Sequence, residues 1–303
     1  MRQKKSLLYI SFLSLLCCIP TSFAKEFKTK HHNVLASDGP DAGLDSYALI
    51  REQYGKKALE SPDLYKTNHT ETKHIIEAND TIVGNHFVFF AHRDHDTDRD
   101  KGKTDRQRNE IKVYDKSSPT LMGFKGETLQ YRWKFKFDDG FEFSKNFTHF
   151  FQIKAKNVSK KRKKNGSDSS PILTLSAADL SSGRTEFQLR HNAGFDKNGD
   201  RTKTSKLVRG DISRINGRWL EIFAQITYSE KGSLIFKIND LESGEIIADY
   251  QEDGLDLWRG EGKKDFARPK WGIYRSLKNQ ESLRANEEIA RFADLSISKG
   301  KLK

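Results

Sequence analysis

The chain has 303 residues, with 54 Lys and Arg against 42 Asp and Glu, a formal net charge of +12 and a mean hydropathy of −0.77. Both cysteines, Cys17 and Cys18, lie in the N-terminal leader, which excludes disulfides, thiol catalysis and Cys-ligated metal from the mature chain. The basic balance fits a polyanionic partner such as an acidic polysaccharide, an anionic cell envelope or nucleic acid, and equally a merely solubilising surface.

Arg2, Lys4 and Lys5, an apolar run from Leu7 to Ile19 and the small-x-small sequence Ser22-Phe23-Ala24 read as a secretory signal peptide over residues 1–24. That run is short for a membrane span, and no later segment approaches the length required. Residues 25–303 are expected to form one exported domain, secreted or periplasmic, with a bacterial source favoured, a monomeric state and no membrane span. Five Asn-x-Ser/Thr triplets, starting at Asn68, Asn79, Asn146, Asn157 and Asn165, would accept glycans in a eukaryotic secretory route. After a polar lead-in, Asp45-Ser46 followed by Tyr47, Leu49, Ile50 and Tyr54 predicts a short capped helix ending near Gly55. The loop from His92 to Lys101 carries an acid at every second position. Asp94, Asp96 and Asp98 are its candidate calcium ligands, although the Gly and terminal Glu of an EF-hand are not in their places.

From Thr81 onward the pattern has period two. The clearest strand is Gln130 to Asp138, where Tyr131, Trp133, Phe135 and Phe137 alternate with Arg132, Lys134 and Lys136. Further strands are predicted at Pro171–Ser176, Glu186–His191, Trp219–Tyr228, Ser233–Asn239, Glu245–Tyr250, Lys270–Arg275 and Arg291–Ser298. Many short strands separated by Gly, Asn and Asp turns, with little helix, give an all-β sandwich of the jelly-roll type. A basic run from Lys156 to Asp168 reads as a solvated hairpin tip or a cationic flap over a polyanion. Asp196, Asn198 and Asp200 are a second calcium candidate.

Three segments carry the chemistry: RQRNEIKVY from Arg106, HFFQIKA from His149 and PKWGIYR from Pro269. Strict alternation puts Arg106, Arg108, Glu110 and Lys112 on one face, Gln152 and Lys154 on one face, and Lys270, Gly272 and Tyr274 on one face. The same parity assigns His149 to the apolar side with Phe151 and Ile153, as a core or structural histidine. Side by side, these strands would form a polar floor for an acidic sugar. There is no nucleophile elbow, no phosphate-cradling Gly loop and no zinc spacing among the nine histidines, and no carboxylate pair stands out for hydrolysis. Cations, amides and a tyrosine suit β-elimination of a uronate instead. Gln152 and Arg108 would hold the sugar carboxylate, Lys154 would take the C5 proton once cationic neighbours had lowered its pKa, and Tyr274 would protonate the leaving oxygen. Arg106, Glu110, Arg190, Lys270 and Arg275 are further candidate substrate-binding residues. No cofactor is needed for this chemistry, and calcium would be structural.

At these residues the chain resembles the jelly-roll polysaccharide lyases. RNEIK, QIK and KWGIY match in order the R-x-E-L-R, Q-I-H and K-x-G-x-Y strands of alginate lyases, and heparin lyases look similar through R-T-E-L, Q-W-H and F-G-I-Y-R. Both families carry histidine where this chain has Lys154. The resemblance is closest to the ulvan lyases that pair lysine with tyrosine, through YRWKFKF, FFQIKAK, PILTL, FQLRHNAG, DLWR and RPKWGIYR. It implies that Lys154 is base and Tyr274 acid, that Arg108, Gln152 and Asn192 contact the uronate and join the candidate substrate-binding set, and that the substrate is a sulfated uronan, ulvan in particular. Heparin, glucuronan or alginate cleavage and non-catalytic lectin-like binding are the alternatives. Nucleic acid is not an expected partner, because no nucleic-acid module is recognisable.

Overall fold

The computed structural model describes residues 26–66, 68–158, 168, 170–180, 182–194 and 202–303. The leader, most of the basic run and the Asp196, Asn198 and Asp200 candidate lie outside the described residues. Among the described residues there are one α-helix, α1 (Ser46–Tyr54), four short 3-10 turns and fifteen strands: β1 (Phe27–Leu35), β2 (Leu59–Glu60), β3 (Ile75–Asp80), β4 (Gly84–His92), β5 (Arg106–Lys112), β6 (Thr128–Phe137), β7 (Thr148–Lys156), β8 (Leu173–Asp179), β9 (Thr185–His191), β10 (Ser205–Asp211), β11 (Leu220–Thr227), β12 (Gly232–Asp240), β13 (Ile246–Leu255), β14 (Phe266–Ser276) and β15 (Glu287–Leu302). The helix begins where the sequence predicts: the Asp45 carboxylate caps the amides of Tyr47 and Ala48, and the chain leaves through Gly55 at φ +99°.

The strands form two antiparallel sheets. One has the order β13-β12-β11-β6-β15-β4-β3, with β1 also paired to β15; the other runs β10-β9-β8-β7-β14-β5-β2. The all-β jelly-roll expectation therefore holds. Alternation along β6 explains why the sheets face each other. Tyr131, Trp133, Phe135 and Phe137 are fully buried, while Arg132 pairs outward with Glu221 and Lys134 with Asp294. From the opposing sheet, Phe151 meets the Trp133 ring at 4.3 Å and Phe150 stacks on Phe135 at 4.8 Å. Each such fully buried side chain contributes about 1.5–3 kcal/mol through area removed from water.

The three chemistry-bearing segments are β5, β7 and β14, and β14 lies between the other two. Lys270 is opposite Lys112, Gly272 opposite Glu110, and Tyr274 opposite Arg108. On the other side Arg268 is opposite Lys154, Lys270 opposite Gln152, and Tyr274 opposite His149. Between Trp271 and Tyr274 this second register shifts by one residue, and β7 shifts against β8 between His149 and Phe151. Phe150 is the bulged residue, and both Phe150 and Phe151 enter the core. Strict alternation therefore breaks, and the expectation that His149 lies on the apolar side fails: the bulge returns it to the polar face.

Gly272 belongs to this device. Its φ of +135° is one that residues with a Cβ rarely adopt, and a Cβ there would lie 2.1 Å from the Asn109 carbonyl oxygen. Gly272→Ala is expected to push β14 off β5 and to cost more than about 2 kcal/mol in urea unfolding. An unchanged midpoint would show that the bulge tolerates a side chain.

Candidate active site

The floor of the cleft is a buried charge network. β2 brings Glu60 alongside β5, where Glu60 is opposite Glu110. Lys270 lies between the two acids, 2.6 Å from Glu60 and hydrogen-bonded to Glu110, and is 3% exposed. Arg108 donates to Glu110 and, through Nε at 2.8 Å, to Asp98. Glu60 also takes Lys112 at 2.5 Å and Arg99 at 2.7 Å. The Gln152 amide donates to Glu110 from the other side. Burial alone would raise the pKa of Glu60 and Glu110, but Lys270 and Arg108 reverse this and hold both carboxyls below the usual range. The network is worth having only while complete, because removing one partner strands a desolvated charge.

Above this floor stand the groups that can meet a ligand. The Arg108 guanidinium lies 3.6 Å from the centre of the Tyr274 ring, and Arg106 Nη1 donates to the Tyr274 hydroxyl at 3.0 Å. Arg106 is itself held by a two-point contact to Asp105. The His149 ring lies 5.8 Å from that of Tyr274, stacks on Phe147, and bonds the Ser176 hydroxyl at 2.7 Å. Burial, then Arg190, Arg108 and Lys154, push its pKa well below the ordinary value, so His149 is neutral. Lys154 is partly buried, and desolvation, then Lys270 and Arg108, bring its ammonium down to about 7. Past His149 the cleft continues into a cavity of about 180 Å³ lined by Thr174, Ser170, Arg190 and Asn192.

Of the sequence-derived candidates, Arg106, Lys154, Arg190 and Tyr274 reach the cleft. Arg108, Glu110, Gln152 and Lys270 are in the same place but form its floor, at 6%, 1%, 1% and 3% exposure. Asn192 borders the cavity with its amide already used: it donates to Thr202 and Thr204 and accepts from Gly194 and Arg259. The expectation that Arg275 binds substrate fails. Arg275 is on the opposite face of β14, fully buried, and bonds Gln107 and Glu288. The calcium expectation for Asp94, Asp96 and Asp98 fails as well, because the three carboxylates do not converge. Asp94 chelates Arg93, Asp96 takes His74 and His92, and Asp98 takes Arg99 and Arg108.

Sequence reasoning missed Glu60, Asp98 as the partner of Arg108, and His149. Glu60 sits in a two-residue strand remote from the motifs, and its only signal is a lone acid within the otherwise uncharged run Ala58-Leu59-Glu60-Ser61-Pro62. Glu110→Leu, which leaves Lys270 and Arg108 short of a counter-charge, is expected to destabilise the fold by about 3–5 kcal/mol. Arg132→Ala, at an exposed pair, should cost no more than about 1 kcal/mol. Urea unfolding of both variants checks this contrast, and equal costs would contradict it.

A family model described as polysaccharide lyase matches residues 63–287. No curated protein sequence matches the chain. Among solved structures, an alginate lyase from the marine Aplysia kurodai is similar with a TM-score of 0.54 at 13% identity, over 89% of this chain and 98% of its own. An endo-β-1,4-glucuronan lyase from the fungus Trichoderma reesei is similar with a TM-score of 0.52 at 14% identity, over 89% and 95%. At these identities the structural likeness establishes the shared sandwich, whereas the sequence match spans most of the chain and includes all three strands of the cleft. By that match the chain belongs to the polysaccharide lyase family.

Proposed function

We propose that the protein is an exported endo-acting lyase that cleaves a sulfated, uronate-containing polysaccharide, ulvan in particular, by β-elimination. The observation that carries this reading is the lysine whose pKa is brought to about 7 on the same sheet face as Tyr274. A neutral Lys154 amine removes the C5 proton. Electrons move into a C4–C5 double bond, the C4–O4 bond breaks, and the Tyr274 hydroxyl gives its proton to the departing oxygen. Lys154 then returns a proton to solvent and Tyr274 regains one. Arg106, beside the Tyr274 hydroxyl, stabilises the phenolate left by that step, and Arg190 and Arg268 are cations placed to draw in sulfates and carboxylates. The leader-like N-terminus supports export, and the choice of ulvan rests on the lysine at position 154 and the surrounding strings. An alginate lyase of similar fold, solved with alginate tetrasaccharide as a mutant in which a lysine and a tyrosine are replaced by alanine, adds weight to a lysine–tyrosine pair.

One observation favours a second reading of the base. Lys154 is opposite Arg268, whereas His149 is opposite Tyr274, so roughly 15 Å of strand separates the backbone at Lys154 from the His149–Tyr274 pair. A neutral His149 is the nearer base. Incubation with ulvan, glucuronan, alginate and heparin, followed by ultraviolet absorbance of the new conjugated double bond, tests the substrate; binding with no absorbance on any of them would support a lectin. Tyr274→Phe should lower kcat by about 10²–10⁴-fold. Lys154→Ala should be far more damaging than His149→Ala, and the reverse order would assign the base to His149.

The sign of the pH dependence follows from the base. Only the unprotonated amine accepts the C5 proton, so kcat/KM should rise as pH increases through about 7 and then level off. A profile flat from pH 6 to 8 would remove Lys154 from the rate-determining step.

A further inference from the structure

We propose that His69, His74, His92 and Asp96 form a structural site for a divalent transition metal, zinc by its chemistry. The four residues come from the loop before β3, the residue entering β3, the last residue of β4 and the turn after it. Each offers one ligand atom, and these atoms all lie within 4.8 Å of one another. His74 Nε2 is 3.0 Å from Asp96 Oδ1 and 3.0 Å from His92 Nδ1, and His92 Nδ1 is 3.3 Å from Asp96 Oδ2. A tetrahedron with arms of about 2.0 Å has edges of about 3.3 Å, so three corners are already at ligand spacing. The His69, His74 and His92 rings are nearly perpendicular to one another, at 81–87°, so that three imidazoles approach one point without stacking.

The outer atoms of these rings identify which nitrogens face inward. His74 Nδ1 lies 2.6 Å from the Thr72 carbonyl oxygen, which only accepts, so Nδ1 carries a proton, and Nε2, facing Asp96, either holds a second proton or offers its lone pair to a metal. His92 Nε2 faces the Glu287 carboxylate at 3.3 Å, which places its proton there and leaves Nδ1 a lone pair. His69 Nε2 is on the Thr72 hydroxyl at 3.0 Å, and its Nδ1 is buried without a hydrogen-bond partner. Unless His74 takes a second proton, two lone pairs and a carboxylate converge beside an unsatisfied nitrogen, an arrangement that repels itself without a cation at the centre. An oxygen holding the outer nitrogen of each ligating histidine is the second shell that metal sites require. Three imidazoles with one carboxylate select zinc over calcium or magnesium, and four protein ligands make a closed, structural site.

The site's position gives it a task. Gln107 donates to the His92 carbonyl and Asn109 to those of His74 and Phe90, so the ligand-bearing segments are fastened to the back of β5. Two residues beyond Asp96, Asp98 grips Arg108 on the front. Metal at the cluster would lock the turn that positions Arg108 against Tyr274, whatever the base or the substrate.

The competing account is a proton in place of the metal, with a doubly protonated His74 between Asp96 and Asp63, whose Oδ1 is 3.4 Å from His74 Nδ1. The test is elemental analysis of the purified protein, followed by chelator dialysis and titration with Zn²⁺ or Co²⁺ alone. About one zinc per chain, intense visible bands of tetrahedral cobalt, and a Tm lowered by chelator and restored by zinc but not by calcium or magnesium are expected. His69→Ala, at a partly exposed loop position, should weaken zinc binding at least 10-fold while circular dichroism stays unchanged. His69→Cys, which keeps a ligand, should retain cobalt binding with an added thiolate charge-transfer band. Protein that neither carries zinc nor takes it up at micromolar concentration, with a Tm indifferent to chelator, would overturn the site in favour of the proton.

Discussion

The cleft depends on one interaction, the pairing of Lys270 and Arg108 with Glu60 and Glu110 beneath it. Two cations and two acids withdrawn from water are tolerated only because each is met at hydrogen-bond distance by a partner of opposite sign. The network sets the height of the floor and fixes the Arg108 plane against Tyr274. Its cations also reach upward electrostatically, because Lys270 and Arg108 are the neighbours that, after desolvation, lower the Lys154 ammonium. Burial first, and then the cations Arg190, Arg108 and Lys154, keep His149 neutral. A sheet face that looks like a set of substrate-binding cations is better understood as a buried layer that tunes the few groups standing above it.

The second constraint is the bulge at Phe150. It gives the core two consecutive aromatic rings, one on Phe135 and one on Trp133, and so rotates His149 to the polar side. Gly272 accommodates the opposing irregularity on β14 because nothing larger fits against Asn109. Packing demand on one face of the sheet thus decides which titratable group appears on the other.

Much of this was legible from alternation alone. The β6 pattern gave its core face residue by residue, the cap at Asp45 gave the helix start, and the three motif strands proved to be neighbours in the order that makes a polar floor. Period two fails where the backbone departs from it, which is why strict alternation places His149 on the wrong face. Parity also cannot report depth: Lys270 and Lys154 lie on the same face, yet one is sealed between acids and the other is partly exposed. Partners on different elements, such as Glu60 with Lys270 far apart in the chain or Asp98 with Arg108 across a turn, leave no periodic spacing to find. The alternating aspartates after His92 do not form one site because each has a different partner: Asp94 has its neighbour Arg93, Asp96 has His74 and His92, and Asp98 has Arg99 and Arg108.

Desolvation, together with the buried cations Lys270 and Arg108, makes Lys154 a usable base near neutrality. The most direct test is a heteronuclear NMR titration of the Lys154 side chain in the folded protein. A midpoint near pH 7 is expected. A midpoint near the ordinary lysine value of about 10.4 would contradict it.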